Sequence, residues 1–143
     1  MDLSPDEVAR RSADAMWAND RASKWLGAVI DAVGPGTATL SMTVEAHHCN
    51  GHDICHGGYI FTLADSAFAF ACNSYNDRAV AQHNVISYIA PGRLGDRLSA
   101  VATEVIREGR SGVYDVTVRN QHGVTVATFR GASRTIGGLN FQP

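Results

Sequence analysis

From Gly57 to Ser74 the chain reads GGYIFTLADSAFAFACNS, apolar at almost every position, with no proline and no glycine beyond the opening pair. A helix this apolar on nearly every face has to be buried, so the rest of the chain must wrap around it. Asp65 is its one formal charge. An aspartate in such surroundings is paired, hydrogen-bonded or used for chemistry. A capped or bridged aspartate organising a core or a subunit interface accounts for it as well as a reactive one does.

What precedes the run favours chemistry. His56, Gly57 and Gly58 fall at the predicted helix N-terminus, where the first amides lack intrahelical acceptors and the macrodipole is positive. Glycines there let a ligand oxygen come close to the amides, as an acyl-transfer oxyanion requires. Gly58 and Asp65 are seven residues apart, on nearly one face but roughly 10 Å apart along the axis. A single reacting group needs both within about 3 Å, or one water further. One copy of the helix cannot easily supply both, whereas two antiparallel copies about a two-fold axis can. This predicts an obligate dimer with two equivalent sites.

The 143 residues, 45% hydrophobic and 18% charged, suit one domain over 1–143 with a sizeable core. A net charge of -2 gives no support for nucleic-acid or membrane-surface binding. No signal-peptide segment opens the chain and no run reaches the length of a membrane span, so a cytoplasmic location is expected. Cys49, Cys55 and Cys72 lack a disulfide-framework spacing and read as reduced thiols.

An N-terminal helix is predicted over Asp6 to Asn19, behind Ser4-Pro5, within an N-terminal region 1–22. Strands are predicted at Leu26 to Val33, Thr37 to Ala46, Ala79 to Ala90, Leu98 to Arg107, Val113 to Arg119 and Val124 to Arg134. In the fifth, Tyr114, Val116 and Val118 alternate with Asp115, Thr117 and Arg119, giving one dry face. The sum is an α+β domain, an antiparallel sheet of five or six strands wrapped around one long helix. Residues 137–143 read as a loose tail.

The segment NGHDICHGGYIFTLADSAFAFACNS, with SYIAPGRLGD, EGRSGVYDVTV and ATFRGASRTIGG, resembles the PaaI-type hotdog-fold acyl-CoA thioesterases of phenylacetate catabolism over nearly the whole chain. That resemblance implies a hotdog subunit, a dimer with antiparallel long helices, and a homotetramer of two dimers. It also implies hydrolysis of aryl-acyl-CoA thioesters, with hydroxyphenylacetyl-CoA types as the expected class. Asn50, His56, Gly57 and Asp65 match the family's active-site positions. The family often has Arg before the Pro-Gly pair and Asp three residues earlier, where this chain has Ala90 and Ser87.

In chemical terms, the Gly57 amide polarises the thioester carbonyl, while Asp65 of the partner activates water or attacks directly. His56 orients the turn or the substrate, and Asn50 holds the loop or the attacking water. No cofactor is called for, coenzyme A being part of the substrate. Arg93, Arg110 and Ser111, with Arg134, lie at turns or strand ends where guanidinium and turn amides suit phosphates, although solvated arginines are the commoner case. Gly58, Tyr59, Phe61 and Asn84, with Leu63 and Phe68, are candidates for substrate contacts, against plain core packing. His48, His52 and His56 recur every fourth residue, but Gly51 and the preceding strand argue against a helical zinc site there, and loop histidines are the reading preferred over metal. A hotdog enoyl-CoA hydratase or dehydratase, and an acyl-CoA-binding module without catalysis, are the alternatives.

Overall fold

The computed structural model describes residues 2–143. Helix α1 spans Pro5–Ala18, started by a capping box in which Ser4 and Glu7 satisfy each other's backbone amides. Helix α2, Arg21–Leu26, follows. The sequence reading placed a strand from Leu26, so α2 is a correction. The Asp20 carboxylate accepts the Ser23 N–H at 2.9 Å and Gly27 closes the turn at φ 84, so Leu26 ends a helix.

Six strands then form one antiparallel sheet: β1 Val29–Gly34, β2 Thr37–Thr43, β3 Asp77–Tyr88, β4 Arg97–Glu108, β5 Ser111–Arg119 and β6 Thr125–Leu139, in the order β1-β2-β4-β5-β6-β3. Thr37 to Ala46 is therefore shorter as a strand than expected, because Ala46–His48 forms a 3-10 turn. Helix α3, Gly57–Cys72, lies on the inner face of the sheet, as expected of a hotdog fold. Leu63, Ala67, Phe68 and Phe70 meet Leu40, Met42, Leu98, Ala100, Val116 and Val118 in a core from which solvent is excluded. The alternation of Tyr114, Val116 and Val118 is seen as buried positions along β5. No helix among the described residues is long and apolar enough to cross a membrane.

Two contacts set the height of α3 over the sheet. At Gly131 of β6 an added Cβ would lie 2.8–2.9 Å from three ring atoms of Phe68. Gly131→Ala is accordingly expected to lower stability by about 1–3 kcal/mol, read as a fall in the denaturant midpoint at unchanged slope. A Gly131→Ala protein with wild-type stability would show that the helix has room to rise.

The second contact is at the C-terminal end of α3. The Ser12 hydroxyl donates to the Asn73 carbonyl at 2.7 Å, and Asn140 Nδ2 donates to Ser12 Oγ at 2.9 Å, tying α1, α3 and the chain's end together. The tail expected to be loose from Gly137 is instead held. β6 continues to Leu139, and Asn76 accepts the N–H groups of Asn140 and Phe141 at 3.0 and 2.9 Å while donating to the Phe141 carbonyl.

Candidate active site

The segment before α3 is a tight loop fastened on three sides. The Asn50 and Ile54 main chains pair at 2.9 Å, and Asn50 Oδ1 accepts the His52 N–H at 3.0 Å. Asp53 takes a positive φ of 55 at the turn. Across from it, the Cys55 N–H donates to the Gly92 carbonyl at 2.7 Å and the Leu94 N–H to the Asp53 carbonyl at 3.0 Å, zipping NGHDIC to APGRLG. The His56 N–H reaches the His48 carbonyl at 2.8 Å. His48 is itself buried, accepting the Glu45 N–H at Nδ1 and bonding the Leu26 carbonyl through Nε2, both at 2.9 Å. The histidine of the fourfold spacing that lies deepest is thus a structural pin.

His56 is the N-cap of α3. Its Nδ1 accepts the Gly58 N–H at 2.9 Å, so an imidazole in this position carries its proton on Nε2 and Nδ1 is not free to act as a base. Gly58 therefore corrects the sequence reading, since its amide is taken by His56 rather than offered to a ligand. The amide with no acceptor in the helix is that of Gly57, the first helical residue. Tyr88, at the end of β3, covers this residue and donates its hydroxyl to the Gly57 carbonyl at 2.8 Å. An added Cβ at Gly57 would stand 2.9 Å from the Tyr88 ring, so a side chain here would have to push that ring aside.

Beside the Gly57 amide lies an open cavity of about 380 Å³, lined by Ile54, Cys55, Gly57, Ile60, Tyr88 and the Ile89–Gly92 turn. Tyr88 was not picked out in the sequence; its only signal is its place just before the IAPG turn. Of the predicted wall residues, Tyr59 turns instead toward Trp25, His48 and His56, with ring centroids 5.5–6.0 Å away, and Phe61 packs on Phe129 at 5.6 Å. Leu63 and Phe68 are core. Ile60 is the α3 side chain that faces the cavity. A larger groove of about 600 Å³ between α1 and β1 holds none of the candidate residues.

Asp65 lies eight residues beyond Gly57, about 12 Å along the helix axis, so one protomer does not bring amide and carboxylate together. It is half-buried, and burial raises its pKa, opposed in part by the hydrogen bond that Asn84 Nδ2 donates to Oδ1 at 3.0 Å. The Cys72 thiol, two turns further on, is pushed up to about 12 by burial and by the charge of Asp65.

Arg93 stands in the turn zipped to the NGHDIC loop, beside the cavity mouth, through the Ile54–Arg93 bridge. Arg110 and Ser111 are elsewhere. They occupy the β4–β5 turn and border a crevice with Cys72, at the other end of α3 and about 24 Å from His56 by helix length. Within one protomer the structure therefore groups Asn50, His56, Gly57, Arg93 and Tyr88 at one end of α3, Asp65 with Asn84 at its middle, and Arg110 with Ser111 at the far end.

Comparison with known proteins gives a consistent set of relatives. Residues 52–127 match the model of the thioesterase superfamily. The acyl-coenzyme A thioesterase PaaI of Escherichia coli (strain K12) is 48% identical over 131 residues, covering 91% of this chain and 93% of that protein. The structure of the E. coli PaaI protein from the phenylacetic acid degradation operon superposes with a TM-score of 0.93 at 46% identity, over 95% of this chain and 99% of the other. That of smu.793 from Streptococcus mutans UA159, bound to acetyl CoA, gives 0.75 at 29% identity, over 78% and 90% of the two chains.

Proposed function

The chain belongs to the thioesterase superfamily, and from this we propose that it is an acyl-CoA thioesterase hydrolysing aryl-acyl-CoA thioesters, (hydroxy)phenylacetyl-CoA foremost, to free acid and CoA. The observation that carries the chemistry is the division of labour along α3. His56 absorbs the Gly58 amide, which leaves the Gly57 amide as the polarising donor at the positive end of the helix, and a half-buried carboxylate waits at Asp65.

The two-fold dimer joins these halves. With α3 of two protomers antiparallel, the Gly57 amide of one faces Asp65 of the partner subunit, and the separation of about 12 Å within a protomer favours that arrangement over a single-chain site. The thioester carbonyl oxygen docks on the Gly57 amide, and Asp65 drives attack at the carbonyl carbon. Asn50 and His56 shape the entrance, and Arg93 at its mouth suits a CoA phosphate. The same dimerisation carries Arg110 and Ser111, at the far end of α3, toward the partner's entrance, which is how they come to serve the phosphates. The reaction needs the amide, the carboxylate and water, with no cofactor beyond the CoA of the substrate. A cytoplasmic homotetramer acting in phenylacetate breakdown completes the reading, in keeping with the phenylacetic acid degradation operon to which the E. coli PaaI structure is ascribed.

Release of free CoA, followed with a thiol reagent over phenylacetyl-, hydroxyphenylacetyl-, benzoyl- and fatty acyl-CoAs, tests the proposal. Fast release from the aryl substrates is expected. Folded protein that releases no CoA from any of them would overturn it, in favour of a hydratase if enoyl-CoA is turned over, or of a binding module if acyl-CoA is only retained.

A further inference from the structure

The neck of the loop that precedes α3 is a short antiparallel ladder, in which Cys49 and Cys55 face each other as an isolated bridge. The hydrogen bonds lie on either side of them. The Asn50 N–H donates to the Ile54 carbonyl at 2.9 Å and the His56 N–H to the His48 carbonyl at 2.8 Å. That pattern makes the two cysteines a non-hydrogen-bonded pair, the kind whose Cα atoms stand about 4.5 Å apart and whose side chains come closest. A disulfide asks for Cα atoms roughly 4.4–6.8 Å apart. Cys49 and Cys55 are therefore within bonding range with the backbone left where it is.

Both are free thiols, and little holds their sulfurs apart. Cys49 Sγ donates to the Glu45 carbonyl at 3.4 Å and Cys55 Sγ to the His56 carbonyl at 3.6 Å, weak bonds that rotation about Cα–Cβ gives up. Access to the pair is graded. Cys49 is partly exposed, whereas Cys55 is buried and lines the cavity beside Gly57. Cys72 closes the far end of α3, about 24 Å from His56 by helix length, so neither cysteine has another partner in the chain. Burial and the neighbouring Cys49 push the Cys55 thiol up to about 11, and partial burial with the Asp53 charge raises Cys49. Both therefore rest as protonated thiols until an oxidant is supplied.

The geometry points to Cys49 and Cys55 as a reversible redox site, which closes to a disulfide by exchange with a small-molecule disulfide and clasps the loop between them. Cys49, the reachable thiol, gives up its proton and bonds to one sulfur of the small disulfide. The S–S bond of that molecule breaks, and its other sulfur takes a proton and leaves as a thiol. Cys55 then gives up its proton and bonds to Cys49 Sγ, expelling the second small thiol, which is protonated in turn. Two cysteines are oxidised, one disulfide is reduced to two thiols, and the cysteine protons end on those thiols. The Cα separation is at the short end of the disulfide range and one sulfur is reachable from solvent, so the bond is readily reduced again. The clasp encloses Asn50 and ends one residue before His56, and so fixes the loop that carries both. It stands on the ladder geometry and is independent of the thioesterase reading.

Oxidised glutathione added to the full chain, freed of reductant, tests this. The expected product is lighter by two hydrogens, has two of its three cysteines closed to alkylation after unfolding, yields a Cys49–Cys55 linked peptide, and reverts fully with dithiothreitol. It should melt about 2–6 °C above the reduced protein, because the closed loop is short and the native backbone is unstrained. Cys55→Ser is expected to stop at a glutathione adduct on Cys49, the resolving thiol being gone. Cys49→Ser, at the partly exposed position, is expected to fold, to form no bridge and to leave Cys55 reduced. Glutathione retained on Cys49 of the wild-type chain, a disulfide between two chains, or no loss of hydrogen would overturn the site. A bridged form that melts below the reduced one would overturn the clasp, since the backbone would have had to move to make the bond.

Discussion

Asp65→Asn is expected to lower turnover by about 10² to 10⁴, the usual worth of a positioned general base, and at the same time to make the protein more stable at neutral pH. The two effects have one cause. Burial raises the Asp65 pKa above that of a free aspartate, so keeping it ionised at neutral pH opposes folding. The sign follows from proton linkage: a group whose folded pKa exceeds its unfolded value favours folding fully below the unfolded value of about 3.8, and this contribution is lost as pH rises through the folded pKa. Asparagine preserves the shape and an oxygen for Asn84 Nδ2 to donate to, but carries no charge to desolvate. The stabilisation over wild type should therefore appear as pH rises past the folded pKa and vanish in acid. Paired thermal melts at acidic and neutral pH check it, with CoA release measured on the same samples. A variant that stays active, or that melts below wild type at neutral pH, would remove Asp65 from the chemistry and return it to structural pairing.

Much of this arrangement is legible in the residues, and the parts that are not share a physical reason. The long helix and the dry face of β5 are periodic over enough residues that burial leaves no alternative. The separation of Gly57 and Asp65 follows from helix rise alone, which is why one chain is enough to propose a dimeric site. Helix α2 is too short for its periodicity to register, although Asp20 and Gly27 are its cap signals. The pairing of β3 with β6 skips Gln82, a bulge within AVAQHNV that no glycine or proline marks, so sequence alternation cannot say whether His83 or Asn84 looks inward. The capture of the Gly58 amide depends on a single rotamer of His56. The paired glycines at 137 and 138 suggest a flexible end, but the side chain of Asn76, far away in sequence, clasps the residues beyond them.

Two inactive variants mixed together are expected to regain activity. At Gly57→Ala the new methyl would lie 2.9–3.1 Å from Tyr88 ring and hydroxyl atoms. These are the far end of an exposed side chain that can swing aside, so the fold should survive. The methyl nevertheless stands beside the one uncommitted amide and keeps a carbonyl oxygen off it, with an expected loss of about 10² to 10³, as for one oxyanion donor. Asp65→Asn protein retains that amide but lacks the base. In a heterodimer of the two, one cross-subunit site combines the intact Gly57 of the Asp65→Asn chain with the intact Asp65 of the Gly57→Ala chain, and the other site carries both lesions. Random exchange makes half of the dimers mixed, each with one good site of two, so recovery approaches about one quarter of wild-type activity. Unfolding and refolding the mixed chains, with native mass spectrometry to count heterodimers, separates failure to exchange from failure to complement. Heterodimers present in the expected proportion but inactive would mean that each protomer assembles its own site, against the helix rise that holds Gly57 and Asp65 apart.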